Sequence, residues 1–290
     1  MTDAPRTSTD AVLRRALAGD VVTIDPRFQG LPDTAHGGTV LALFDAIAAV
    51  AGPRTIVGTY HRRVPLAAPL RLAVERDATS TRLALTDGTG RLVDGTVWAD
   101  DRTVRADGGT VRAGASAAPA GGEGARMLLP LSRMCFACGV DNPLGLRARL
   151  WLDERHVTAR FTPRESLRAN GGTLAMVAIT ALLDEAAFWL GAAASGESGM
   201  TTTLRVEMHD AVRFGDTIDV AGSRAAVVPR ADDPRYWETD VAAWDGGARL
   251  VARARITFVA VRGAARKLVT GLLAMNPPER LRRVFPAYVR

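Results

Sequence analysis

GGTVLALFDAIAAVA, at Gly37–Ala51, decides how the rest of the chain is read. Two glycines open the run, and one acid, Asp45, interrupts it. As a helix it is apolar nearly all round, so other structure must wrap it. Strand-like runs follow at Thr55–Arg62, Leu70–Asp77, Thr81–Thr86 and Leu92–Ala99. The second half repeats the plan. Strand-like runs at Leu146–Leu152 and His156–Phe161 precede a second apolar helix, TLAMVAITALLDEAAFWL, at Thr173–Leu190. Further strands are expected at Thr201–Met208, Thr217–Val228, Tyr236–Trp244 and Arg249–Val261. Alternation in TLRVEM and the turns at Asp87-Gly88 and Asp245-Gly246 predict hairpins.

An apolar helix followed by an antiparallel meander, found twice, is an internal repeat. The expected fold class is therefore α+β, with two tandem domains, each a long central helix wrapped by an antiparallel sheet. Two such domains can pair face to face into one continuous sheet. The chain of 290 residues is long enough for both to bury a core. The predicted divisions are an N-terminal domain over 1–112, a linker over 113–126 rich in Gly, Ala and Ser, and a second domain over 127–262. An extension over 263–290 follows, expected as short helices broken by Pro277 and Pro278 that pack on the sheet.

Composition narrows the function. Apolar residues make up 47% and charged residues 23%, and the net charge is +6. The basic residues are arginines except Lys267 and are interleaved with acids, so no nucleic-acid partner is expected. A basic surface suits phosphate-bearing coenzyme A or an acidic carrier protein. MTDAPRTSTD has no apolar core of a leader, and no run of about 20 apolar residues is free of charge, so a cytoplasmic protein without a membrane span is expected. Cys135 and Cys138 form a lone CxxC. No second CxxC or neighbouring His pair completes a four-ligand zinc site, so these cysteines are expected to pack and no metal is expected.

The chemistry concentrates in FQGLPDTAHGGTVLALFD, Phe28–Asp45. His36 stands before Gly37 and Gly38, where a helix start leaves backbone N–H groups and the positive end of the helix dipole able to hold an oxyanion. Asp45 is costly in an apolar helix unless paired or used. His36 and Asp45 are nine residues apart, which puts them on opposite sides of a helix and roughly 13 Å apart along it. Each therefore needs a partner from another domain. The second helix carries Asp184-Glu185, but nine residues before Asp184 stands Ala175, and Asn170-Gly171-Gly172 comes five residues too early. Across a pseudo-twofold, the Gly37 helix start faces Asp184 and the Ala175–Val177 region faces Asp45. One composite site is complete and the other degenerate.

QGLPDTAHGG followed by helix and Asp, CFACGVDNPLGL at Cys135–Leu146, and LLDEAAFW with TTTLRVEM together resemble the hotdog acyl-CoA thioesterase superfamily, in its phenylacetic-acid-type branch. The resemblance covers most of residues 20–262 and implies a tandem double hotdog. It implies that the Gly37 N–H polarises a thioester carbonyl, and that Asp184 acts as nucleophile or general base. Thr201 would hold the carboxylate or a water. Gln29 and Gly38 would line the substrate pocket, His36 would shape the loop, and Asp45 would be the matching acid of the other half. Asp33 stands where that loop usually carries glycine. The implied activity is hydrolysis of an acyl-CoA, with the coenzyme A ester as substrate and no other cofactor. The alternatives are a non-catalytic acyl-CoA-binding or regulatory protein, or an enzyme acting on a carrier-protein thioester, including a hydratase or dehydratase. Such pseudo-dimers can associate further into homo-oligomers.

Overall fold

The computed structural model describes residues 8–100 and 126–289. The expected linker, apart from Arg126, lies outside the described residues, as does the stretch 101–112 that precedes it. In the first half a short helix α1 (Thr9–Arg14) leads into strands β1 (Leu17–Ala18) and β2 (Val21–Thr23). Helix α2 (Gly37–Ala48) follows, and then β3 (Arg54–Tyr60), β4 (Pro69–Arg76), β5 (Ser80–Asp87) and β6 (Gly90–Ala99). The second half opens with β7 (Met127–Leu128), β8 (Leu150–Leu152) and β9 (His156–Phe161). Helix α3 (Met176–Ser195) precedes β10 (Gly199–Met208), β11 (Ile218–Ser223), β12 (Val228–Pro229), β13 (Tyr236–Trp244) and β14 (Leu250–Ala260). Two helices, α4 (Ala264–Leu273) and α5 (Pro278–Arg282), end the chain.

All strands belong to one antiparallel sheet in the order β1-β2-β4-β5-β6-β3-β10-β14-β13-β11-β9-β8-β7, with β12 on β13. The halves meet where β3 pairs with β10, from Thr59↔Thr203 to Arg54↔Met208. Each is the first strand after its half's helix, so like pairs with like, as a twofold requires. The alternation read in TLRVEM is what turns β10: Leu204, Val206 and Met208 are buried while Thr203, Arg205 and Glu207 are less so.

The sheet curls around the two helices. Leu41, Leu43 and Phe44 of α2 are fully buried, worth roughly 2 kcal/mol each against exposure. Helix α3 is long and apolar enough to cross a membrane, yet 83% of its most apolar window lies inside the fold. Gly38 brings α2 against α3. A methyl group there would stand 2.4 Å from the Thr180 carbonyl oxygen.

The structure moves several expected boundaries. Helix α3 starts at Met176, because Thr173 and Leu174 are bound to Arg213 and Val212 across a loop. It runs through Gly191 to Ser195. Gly191 marks no helix end; a methyl there would meet the Phe258 ring at 2.5 Å. Strand β8 starts only at Leu150, because Leu146 and Ala148 donate their N–H groups to Phe136 and Ala137. The run Thr217–Val228 is broken after Ser223 by a turn at Arg224–Ala226. The extension forms two short helices, the second opening at Pro278, and it packs against α3. The Phe285 ring lies 6.3 Å from Trp189, and the Asn276 amide bonds both backbone groups of Leu131.

Gly38→Ala is expected to lower stability by about 1–3 kcal/mol through overpacking at the helix crossing. Urea unfolding measures this, and an unchanged midpoint would contradict the close approach.

Candidate active site

The loop before α2 is built to deliver His36. Asp33 adopts a left-handed conformation (φ 59°), which explains why glycine suits this position. The Gln29 side chain accepts the Asp33 N–H at 3.3 Å, and the His36 N–H reaches back to the Phe28 carbonyl at 2.8 Å. The second half then clamps the loop. Phe136 N–H donates to the Gln29 carbonyl at 2.6 Å, and the Phe28 and Phe136 rings are 5.1 Å apart. Asn142 is wholly buried. Its amide donates to the Arg27 and Met134 carbonyls and its oxygen accepts from Leu144 and Gly145. Asn142 is thus a clasp between the halves.

Asp184 of α3 meets the start of α2. Its Oδ1 accepts the Thr201 hydroxyl at 2.7 Å and its Oδ2 accepts the Gly38 N–H at 2.9 Å. His36 Nδ1 lies 3.1 Å from the same Oδ2, and Nε2 lies 3.4 Å from Glu185 Oε2. Gly38 N–H also lies 3.2 Å from His36 Nδ1. A charged imidazole has no acceptor, so with His36 protonated that N–H belongs to Asp184. Neighbouring helix positions point about 100° apart, so one histidine lodges between Asp184 and Glu185. Glu185 Oε1 accepts the Trp189 indole N–H at 2.9 Å, and Cys135 Sγ lies 3.7 Å from Oε2.

His36, Asp184 and Glu185 are all buried. Burial opposes charge on His36, but the Asp184 and Glu185 carboxyls outweigh it and push the imidazole up to about 10. Burial also opposes charge on Asp184, yet His36, Thr201 and the Gly38 N–H hold its carboxyl below the usual range. Burial and the nearby Asp184 raise the Tyr60 phenol, which donates to the Gly37 carbonyl at 2.6 Å. Among the described residues nothing accepts the Gly37 N–H. A methyl on Gly37 would stand 2.8 Å from Asp184 Oδ2, so a larger residue there would displace this carboxylate.

A cavity between the halves is bordered by Gly37, His36, Tyr60, Asp184, Glu185 and Thr201. Exposed Arg62 and Arg63 stand at its edge, and Trp189 and Leu272, both nearly fully buried, bound its interior. Of the residues expected from sequence, Gly37, His36, Asp184 and Thr201 therefore come together. Three do not border the cavity. Gln29 braces the loop, and Gly38 serves the helix crossing and binds Asp184. Asp45 is claimed by Arg54 of its own half, with Arg54 Nη2 at 2.8 Å from Oδ2. The α3 start at Ala175, expected to face it across the twofold, has no side-chain cap. Glu185, Tyr60 and Cys135 are additions. The doubled acid in an otherwise apolar helix signals Glu185; nothing in sequence places Cys135 beside it.

No protein-family model matches the chain, and no curated protein matches its sequence. Solved structures do match its fold. A conserved protein of unknown function with a hot dog fold from Alicyclobacillus acidocaldarius aligns over 84% of this chain and 94% of its own, with TM-score 0.56 and 11% identity. The acyl-CoA thioesterase II TesB2 of Mycobacterium marinum aligns over 86% and 96%, with TM-score 0.53 and 14% identity. An N-terminal dehydratase from the difficidin assembly line aligns over 89% and 99%, with TM-score 0.53 and 13% identity. Together with the repeated helix-and-meander halves, these likenesses establish the fold as a double hotdog.

Proposed function

We propose that the protein hydrolyses an acyl thioester, a coenzyme A ester in the first instance, at a single site between its two hotdog halves. One observation carries the reading. Asp184 from the second half is fixed by Thr201 and the Gly38 N–H directly beside the start of the first half's helix, where the Gly37 N–H has no acceptor. A carbonyl oxygen placed at Gly37 gains that donor and the positive helix end, and one such donor can be worth about 3 kcal/mol in the transition state.

The carboxylate is arranged for one oxygen to react. Oδ2 already faces Gly38 N–H and His36, whereas Oδ1 has only the Thr201 hydroxyl and keeps a lone pair free. Oδ1 either adds to the thioester carbon or takes the proton of a water that does so. Both routes give a tetrahedral oxyanion at Gly37, which collapses with loss of the thiolate; on the first a water then hydrolyses the acyl–Asp184 anhydride, and on the second the proton held by Asp184 passes to the thiolate. Arg62 and Arg63 at the edge suit the phosphates of coenzyme A, and the interior near Trp189 and Leu272 suits an apolar acyl group. A likeness to thioesterases in fold is consistent with this reading. The dehydratase alternative has less support. Its chemistry needs a histidine free to move a proton at carbon, and both His36 nitrogens face carboxyl groups. A cytoplasmic location belongs to this proposal, as coenzyme A esters are intracellular substrates.

Thiol release from a panel of short, medium, long and aromatic acyl-CoAs tests the function. Asp184→Asn is expected to lower kcat by about 10³-fold, within the range for a positioned acid–base group. No turnover of any ester by the wild type, with CoA esters still raising the Tm, would leave a binding protein instead. Asp45→Asn gives the contrasting result. Activity stays within a few-fold of wild type, while stability falls by roughly 1–3 kcal/mol because half-buried Arg54 loses the charge of its buried partner. Loss of turnover equal to that of Asp184→Asn would restore Asp45 to the site.

A further inference from the structure

We infer that the floor of the cavity is a binding site for one transition-metal ion of the zinc class, held by His36 Nε2, Cys135 Sγ and Glu185 Oε2. The inference is independent of the hydrolytic reading. These three atoms lie within 4.8 Å of one another, and all three residues are buried and border the cavity. Zinc bonds of about 2.1 Å to nitrogen and oxygen and about 2.3 Å to sulfur, at tetrahedral angles, separate ligand atoms by about 3.4–3.6 Å. The structure places His36 Nε2 3.4 Å and Cys135 Sγ 3.7 Å from Glu185 Oε2. Both spacings to Glu185 thus already match an ion's, the third is within 4.8 Å, and the cavity side leaves a fourth position open.

Each donor is also oriented from behind, as metal ligands are. Asp184 Oδ2 lies 3.1 Å from His36 Nδ1 and fixes the tautomer that turns Nε2 toward the other two donors. Trp189 Nε1 holds Glu185 Oε1 at 2.9 Å and so leaves Oε2 to the ion. The Cys138 N–H points at Cys135 Sγ at 3.5 Å and would donate to the sulfur once an ion has replaced its proton. The CxxC therefore serves with one sulfur as ligand and one backbone amide as its support. The missing ligands come from the other half and from α3, out of reach of any local motif. Binding is balanced by release of two protons, from Cys135 Sγ and His36 Nε2, to solvent.

Cobalt titration of chelator-stripped protein tests this. Co²⁺ reports a thiolate ligand by charge-transfer absorption and four-coordination by intense visible bands. Both are expected to grow to one equivalent per chain and to vanish on adding Zn²⁺. Cys135→Ser is expected to lose the charge-transfer band, and Cys138→Ser to keep it. Asp184→Asn, which removes the carboxylate behind His36 Nδ1 and none of the three donors, is expected to weaken binding by about 10–100-fold. Folded wild-type protein that shows no thiolate band at saturating Co²⁺ would overturn the site. So would a band retained in Cys135→Ser. The wild-type measurement decides by itself should a variant fail to fold, and no substrate enters the test.

Discussion

The contact on which the molecule depends is the crossing of its two helices at Gly38. The first turn of α2 lies so close to the backbone of α3 that no side chain fits between Gly38 and Thr180. This nearness lets the Gly38 N–H bond Asp184, sets Gly37 against the same carboxylate, and fixes where His36 must sit. The β3–β10 pairing makes the sheet continuous, but it is the helix crossing that turns two domains into one site. A glycine pair that looks from sequence like an anion-binding helix start is first a packing device, and the placement of its N–H groups beside Asp184 follows from that.

The site is an economical cluster of costly groups. Two acids and a histidine buried together are tolerated because each charge has an opposite neighbour and each oxygen a donor. Asp45 shows the other solution. The equivalent helix position in the first half is neutralised by Arg54 at the start of the following strand, and Asp45 does not border the cavity that Asp184 lines. The strand after α3 instead offers Thr201, a hydroxyl, which holds Asp184 without capturing it in an ion pair.

Much of this was legible in the residues. The apolar runs, their repetition and the alternation of TLRVEM lead to the fold because periodicity records burial directly. Facing Asp184 to Gly37 required only the nine-residue spacing and a twofold. What could not be read depends on distant pairing. Nothing local shows that Arg54 takes Asp45, that Gln29 turns back on its own loop, or that Asn142 reaches across to Arg27. Nor does Cys135 announce its neighbours, which lie 99 residues before it in His36 and 50 after it in Glu185. The helix boundaries missed at Thr173 and Leu190 failed for the same reason, since glycine and threonine there answer to tertiary partners.

The clasp formed by Asn142 and Phe136 has a consequence for how such a molecule can change. In a homodimer every substitution appears twice, so a residue that improves one site must also be borne by its copy. With both halves on one chain, a segment of the second half grips a loop of the first, and no reciprocal grip is needed. Each half is then free to specialise. One supplies the helix start and the histidine, and the other supplies the acids and the thiol. Fusion has replaced two identical compromises by a division of labour.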